Sequence, residues 1–293
     1  MTILKIVVTG HIKSSLHKLP PKFGASCFND SNSLTLIFIS KTVSQGTLDN
    51  INIQDLPAEA PTLQHPMNIK VIAFDADDTL WDNENYFQEI EKKFCELMEE
   101  YLPQHSTARE LLRIEIKNLP LYGYGIKAFM LSMIESAMTI SNNTINISAI
   151  EKIIGYGQEL LQKPIQKLEG VDEVLQNLKG RYRLVVATKG DLLDQERKLK
   201  KSGIEHYFHH TEIMSEKGED DFRKLIKHLD ILPENFLMIG NSLKSDVLPV
   251  LNIGGHAFHI PYHITWGHEK IEHEVKHDNF KQFTKITEIL AHL

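Results

Sequence analysis

No stretch of this chain is apolar over the ~18 residues that a membrane-spanning helix requires, which points to a soluble protein. Cysteine is scarce too. Cys27 and Cys95 are the two in 293 residues, far apart and without metal-ligand spacing; this argues against a disulfide framework and fits a reducing cytoplasm. Positive charge is in deficit, with 32 Lys and Arg against 39 Asp and Glu. The formal net charge of -7 is repelled at long range by nucleic acid and anionic membrane, both polyanions. A small anionic substrate would need local positive charge. Internal repeats and low-complexity tracts are missing as well. What remains, 42% hydrophobic and 24% charged residues, is the composition of an ordinary globular protein with room for two modules.

Residues 1–66 read differently from the rest. Two apolar runs, ILKIVV and LTLIFI, sit among Pro, Ser, Asn and Gly; they could be strands, but no partner for them is visible. Met1 to Asn29 has lysines and no acid, as targeting peptides do, yet also no Arg. Residues 1–66 are therefore expected to be a disordered or non-native extension, with Met67 as the working start.

From Lys70 the chain alternates strands with helices, the pattern of a parallel sheet covered on both faces. KVIAF, YRLVVAT, FLMIG and HAFHI are short uninterrupted apolar runs, suited to strands buried on both sides. Polar residues at their carboxyl ends would converge on one crevice. GVDEVLQNLKG and DDFRKLIKHL read as intervening helices, and between about Tyr86 and Gln166 apolar residues recur only at helical spacing. The expected domains are a core at 67–85 and 166–293 and an all-helical insert at 86–165.

The first strand runs into VIAFDADDTLWDNE, which holds Asp75, Asp77, Asp78 and Asp82. Along an extended backbone residues two apart point the same way, so Asp75 and Asp77 should place their carboxylates side by side. A divalent cation, or a proton kept on one carboxyl, would relieve the repulsion. A solvated acidic loop with Asp82 or Asn83 capping the next helix is the plainer alternative. Other strand ends add to the pattern. Thr188 is followed by KGD, which could open a helix and offer backbone N–H groups to a phosphate. Lys217 is the lone cation of SEKGEDDF, and GNSLKSD supplies oxygen donors in Asn241 and Asp246; by default these are a solvated lysine and a helix cap.

Taken in order, these pieces resemble the haloacid dehalogenase superfamily of phosphohydrolases over roughly Met67 to Leu293. Asp75, Asp77 and Thr79 match its Asp-x-Asp-x-Thr, Thr188 its Thr or Ser, Lys217 its Lys, and GNSLKSD its Gly-Asp-x-x-x-x-Asp. The resemblance implies a doubly wound, Rossmann-like parallel sheet, with the helical insert as a cap that selects a small phosphorylated substrate. It implies that Asp75 attacks phosphorus to form an aspartyl-phosphate and that Asp77 serves as acid, then base. Mg2+ would be held by Asp75, the backbone carbonyl of Asp77, and Asn241 or Asp246, while Thr188, Lys189 and Lys217 would hold phosphoryl oxygens. Asn241 departs from the family's usual Asp, and GED follows Lys217 where relatives often have Pro. A dehalogenase, a phosphomutase and a noncatalytic phosphate-binding protein stay open beside the phosphatase, although dehalogenases lack the second Asp.

Four further features are read mostly as structural. His256, His259, His263, His268, His273 and His277 follow no single helix or strand face, which favours loop histidines, one of them against the pocket. Tyr122 and Tyr124 sit in a Gly-flanked turn that could present rings to substrate. Met130, Met133 and Met138 read as cap core, and Trp81 as packing or pocket wall.

Overall fold

The structure, a computed structural model, describes residues 68–293 and, ahead of them, the backbone of three strands. Met1–Pro66 and Met67–Leu293 are separate compact units. In the first, β1 (Thr2–Thr9), β2 (Gly24–Asp30) and β3 (Ser33–Ser40) form an antiparallel sheet in the order β1-β3-β2. The two apolar runs that lacked visible partners pair with each other, from Ile3 opposite Ile39 to Val8 opposite Leu34. Such pairing is long-range, and hydrophobic pattern within either run does not reveal it. The rest of the expected extension, with Met67, lies outside the described residues.

The second unit is built on a six-stranded parallel sheet in the order β6-β5-β4-β7-β8-β9. Its strands are β4 (Val71–Phe74), β5 (Arg183–Lys189), β6 (His210–Met214), β7 (Phe236–Gly240), β8 (His256–His259) and β9 (Phe280–Gln282). Alternate residues feed two cores. Ile72, Phe74, Leu184, Val186, Leu237 and Ile239 pack under α5 (Val171–Leu178), α6 (Leu192–Ser202) and the C-terminal turns at Ile286 and Ile289. Val71, Ala73, Val185, Ala187, Phe236 and Met238 pack under α7 (Glu219–His228) and α8 (Leu248–Asn252). Burial on both faces explains why these strands are uninterrupted apolar runs. Strand β9, three residues containing Lys281 and Gln282 at the sheet edge, carries no such signal.

Between β4 and α5 the chain makes four helices, α1 (Glu84–Leu97), α2 (Gln104–Tyr122), α3 (Ile126–Ile140) and α4 (Ile147–Gln162). They enclose a core of their own around Ile90, Phe94, Met98, Leu111, Phe129, Met133 and Ile153. Met130 packs against it, but Met138 is exposed. Five residues beyond Met133, it lies about 140° around α3 from the buried stripe. Neither Asp82 nor Asn83 caps α1. Asp78 does so from further back, its Oδ1 accepting the N–H groups of Asn83 at 2.9 Å and Glu84 at 3.0 Å.

Phe94 is fully buried at the centre of the insert. Phe94→Ala should lower stability by about 3–5 kcal/mol through lost burial and a residual cavity, read by denaturant unfolding.

Candidate active site

Strand β4 stops at Phe74 because the chain folds back at once. The carbonyl of Ala76 accepts the N–H of Leu80 at 2.8 Å, and Asp78 takes a left-handed conformation, φ 63°. The turn leaves the carboxyl end of the central strand open beside those of β5 and β7. A cavity of about 190 Å3 lies there, lined by Asp75, Asp77, Thr188, Lys189, Lys217, Asn241 and Asp246 and closed on its far side by α1, α2 and α3.

At its base one cation holds two carboxylates. Lys217, its side chain 1% exposed, donates to Asp75 Oδ1 and, at 2.7 Å, to Asp246 Oδ1. The lysine that a default reading leaves in solvent is thus among the most buried polar groups of the protein. Thr79 Oγ1 lies 3.1 Å from Asp75 Oδ2 and 3.3 Å from Asn241 Oδ1, tying the end of β4 to that of β7. Asp246 reaches back to accept the N–H of Ser242 at 2.9 Å. This is possible only over Gly240, where a Cβ would fall 2.2 Å from Asp246 Oδ2. Burial pushes the Asp75 carboxyl up to about 7 despite Lys217, and the nearby Asp246 and Asp77 carboxylates add to the rise. Burial by itself would lower the Lys217 ammonium, but Asp246 and Asp75 outweigh it and hold the group above its ordinary range.

Asp77 lies beyond the end of the strand, on the wall of the same cavity as Asp75. Its carboxylate turns toward α6 and is neutralised separately. Lys198 Nζ donates to both of its oxygens at 3.0 Å, Trp81 Nε1 to Oδ1 at 2.7 Å and Gln195 Nε2 to Oδ2 at 2.8 Å. Trp81 is therefore packing and hydrogen-bond donor at once. Sequence reasoning missed Lys198 and Gln195, which sit inside a polar helix with nothing local to mark them. The helix itself starts where KGD suggested, with Asp191 as its cap accepting the N–H of Asp194 at 3.1 Å.

Thr188 and Lys189 line the same cavity. The Lys189 ammonium is engaged with Glu269 at 2.5 Å and Ser245 at 2.9 Å, and sits 4.2 Å from the centre of the Tyr124 ring. Glu269 also accepts from Ser242 at 2.5 Å and Ser245 at 2.6 Å. Burial alone would raise its carboxyl, but Lys189 and the two hydroxyls hold it down at about 2. Of the Gly-flanked tyrosines, Tyr124 is on the cavity wall, while Tyr122 is exposed and donates to Glu135. Among the histidines, buried His259 stands 2.9 Å from the backbone oxygen of Asn241 and 3.0 Å from Gln282. His263 and His268 contact Asn85 and Lys244.

Among the described residues no three His, Cys, Asp or Glu side chains gather as metal ligands. The donors that do converge are all oxygens: the carboxylates of Asp75 and Asp246 and the amide of Asn241, linked through Lys217 and Thr79. Such a set suits Mg2+, a hard cation that keeps several of its waters. Asp77 could add only its backbone carbonyl, because its carboxylate is committed to Lys198.

Toward the insert the cavity wall turns acidic. Glu84, Glu91 and Glu115 line it, and burial raises all three carboxyls, Glu84 to about 7 and Glu115 to about 8, with repulsion from Glu91 adding to the rise at the other two.

A parallel α/β core with a helical insert after its first strand, and a lysine-bridged aspartate at the central strand end, define a hydrolase of one large class. The model of the haloacid dehalogenase-like hydrolase family matches residues 69–254, and the chain belongs to that family. A haloacid dehalogenase-like family hydrolase from Xanthomonas campestris is 34% identical and superposes with a TM-score of 0.68, covering 75% of this chain and 88% of its own. Two proteins named glyceraldehyde 3-phosphate phosphatase are more distant. That of Pyrococcus furiosus is 24% identical over 201 residues, 64% of this chain and 78% of the relative. That of Methanothermobacter thermautotrophicus is 22% identical over 209 residues, 67% of this chain and 88% of the relative.

Two outcomes are expected. Gly240→Ala should lower thermal stability by about 1–3 kcal/mol, because its methyl and the Asp246 carboxylate cannot share one space. A scan of the melting temperature reads it. The second concerns pH. Carboxyls raised above their unfolded values favour folding fully below about pH 4, and that contribution is lost as pH climbs through about 7 to 8. Stability should therefore fall over this window, and Glu115→Gln should flatten the fall in melting curves taken across it.

Proposed function

We propose that this protein is a Mg2+-dependent phosphatase that hydrolyses a small phosphorylated metabolite through an aspartyl-phosphate on Asp75. The observation that carries the proposal is the separation of two aspartates into two settings within one cavity. Asp75 lies buried against Lys217, and Asp77 is held on the wall by Lys198, Trp81 and Gln195. A nucleophile and an acid–base group need such different environments. An Asp75 oxygen attacks phosphorus as the ester P–O bond breaks, and the leaving oxygen takes a proton from Asp77, which gives up one of its Lys198, Trp81 or Gln195 bonds to carry that proton from solvent. Asp77 then receives a proton from the water that hydrolyses the acyl phosphate, so atoms and charge return to their starting state. The Lys217 ammonium and the Thr188 hydroxyl would bear phosphoryl oxygens, where charge spreads as the group transfers. Asp75, Asn241, Asp246 and the Asp77 carbonyl would hold Mg2+, which when bound supplies further neutralisation of that charge.

Both distant relatives are named for acting on glyceraldehyde 3-phosphate, a small phosphate ester, and the cavity, about 190 Å3, is of a size for a ligand of that class. The presence of Asp77 weighs against dehalogenation, for which a leaving halide needs no proton. The helical insert serves as the cap. The protein would act in the cytoplasm on its phosphorylated substrate, without nucleic acid or membrane as partner, in keeping with its net charge of -7.

Purified protein should release phosphate from an aryl phosphate with Mg2+ present and no halide from a 2-haloacid; halide release, or no turnover across a panel of phosphorylated compounds, would refute the proposal. Asp75→Asn should abolish turnover, and Asp77→Asn should cost about a hundredfold or more in rate. Asn241→Asp should lower the Mg2+ concentration giving half-maximal rate, because a carboxylate replaces a neutral amide among the donors. Asp246→Asn should raise it.

A further inference from the structure

The two ends of the cavity have opposite characters. Its three lysines all sit at the sheet end, and each is committed: Lys189 to Glu269, Lys198 to Asp77, Lys217 to Asp75 and Asp246. The insert end holds carboxylates with no cation among the described residues to pair with them. Glu84, Phe87 and Glu91 lie on one face of α1, at spacings of three and four. Glu115 and Asn118 lie on one face of α2, and Phe129 closes the wall from α3. Glu84 accepts one neutral hydrogen bond, from Gln88 at 2.9 Å. Around Glu115 the neighbouring charges are Glu91 and Glu84, both repulsive.

Asn118 is an independent sign of a missing ligand. It is 2% exposed, and its amide nitrogen donates to Ser132 at 3.2 Å, which leaves the amide oxygen buried with no partner. An unmade bond of this kind is unfavourable, and half-burying unpaired carboxylates beside it adds to the cost. The unsatisfied groups share one polarity. Carboxylates and an amide oxygen accept hydrogen bonds and attract positive charge. The Phe87 and Phe129 rings, 5.1 Å apart between centres, border the same space.

We infer that the insert end of the cavity is a subsite for a cationic group, so that the substrate is a phosphate ester carrying an amine, its ammonium held by Glu84, Glu91, Glu115 and the Asn118 oxygen. The inference rests on the phosphatase reading for the other end of the molecule. An ester with an anionic tail meets repulsion there, and one with a neutral hydroxyl tail gains no charge pairing from the acidic wall. Raised carboxyls fit this arrangement, since the arriving ammonium replaces the protons that burial keeps on them.

The test uses the full chain with Mg2+ and a series of ω-aminoalkylphosphonates, each paired with the ω-hydroxyalkylphosphonate of equal length, with binding measured by calorimetry. At the best length the amine should bind about tenfold tighter or more, equivalent to about 1.4 kcal/mol. That ratio should fall toward one in Glu115→Gln and in Glu91→Gln, and drop in Asn118→Leu. Because the ratio is taken within each variant, altered folding or overall affinity cancels. Equal binding of amine and hydroxyl partners at every length, no phosphonate binding at all, or a ratio unmoved by both Gln substitutions would overturn the inference. Aryl phosphate turnover, followed in parallel, separates the two readings. Turnover without amine preference removes the subsite alone, and amine preference without turnover removes the phosphatase reading alone.

Discussion

A single buried ammonium governs the arrangement of this site. Lys217 stands between Asp75 and Asp246, and all three are nearly removed from solvent. Two carboxylates at that depth would repel each other and pull one or both protons from water. With the lysine between them, the ends of β4, β6 and β7 can be drawn into one crevice. Taking away the lysine would leave two buried acceptors unpaired, a loss of about 3–5 kcal/mol by the usual cost of breaking such a pair. Gly240 serves the same constraint, since only a residue without Cβ lets Asp246 approach the turn. Thr79 extends it to Asn241, and His259 braces the Asn241 backbone from behind.

The second aspartate obeys a separate constraint. Asp77 belongs to the turn after β4 and takes its charge balance from Lys198 on α6. The two acidic groups therefore lie against different partners, Asp75 against Lys217 and Asp77 against Lys198. The insert completes the enclosure. Its helices have an independent apolar core, and their cavity-facing wall is acidic and aromatic where the opposite wall holds the lysines. A substrate bridging the two would present an anion at one end and a cation at the other.

The sheet and its helices were legible because strands buried on both faces must be apolar throughout, and KVIAF, YRLVVAT and FLMIG are. The convergence of Asp75, Thr79, Lys217, Asn241 and Asp246 followed from their places at strand ends. Several contacts were not legible. Strand β9 is too short and polar to signal itself, and pairing of β1 with β3 joins runs distant in sequence. Asp75 and Asp77 line one cavity, but their separate partners could not be read from a periodicity of two, which holds only while the strand lasts, and it ends at Phe74. Lys198, Gln195 and Glu269 are ordinary surface residue types whose roles arise only when α6 and the segment after β8 fold over the strand ends. Glu91 and Glu115 look like solvent-facing helix positions until three helices close around them.

The central claim is that Asp75 carries the phosphoryl group. In the Asp77→Asn protein Asp75 should still attack the phosphorus of the aryl phosphate, but water is activated slowly, so the covalent species accumulates. Acid quenching of that variant after mixing with an aryl phosphate and Mg2+, followed by peptide mass mapping, should find phosphate on the peptide containing Asp75. The label should vanish when Asp75 is also replaced by Asn. Phosphate release with no phosphorylated peptide, or with the phosphate on another residue, would contradict the account.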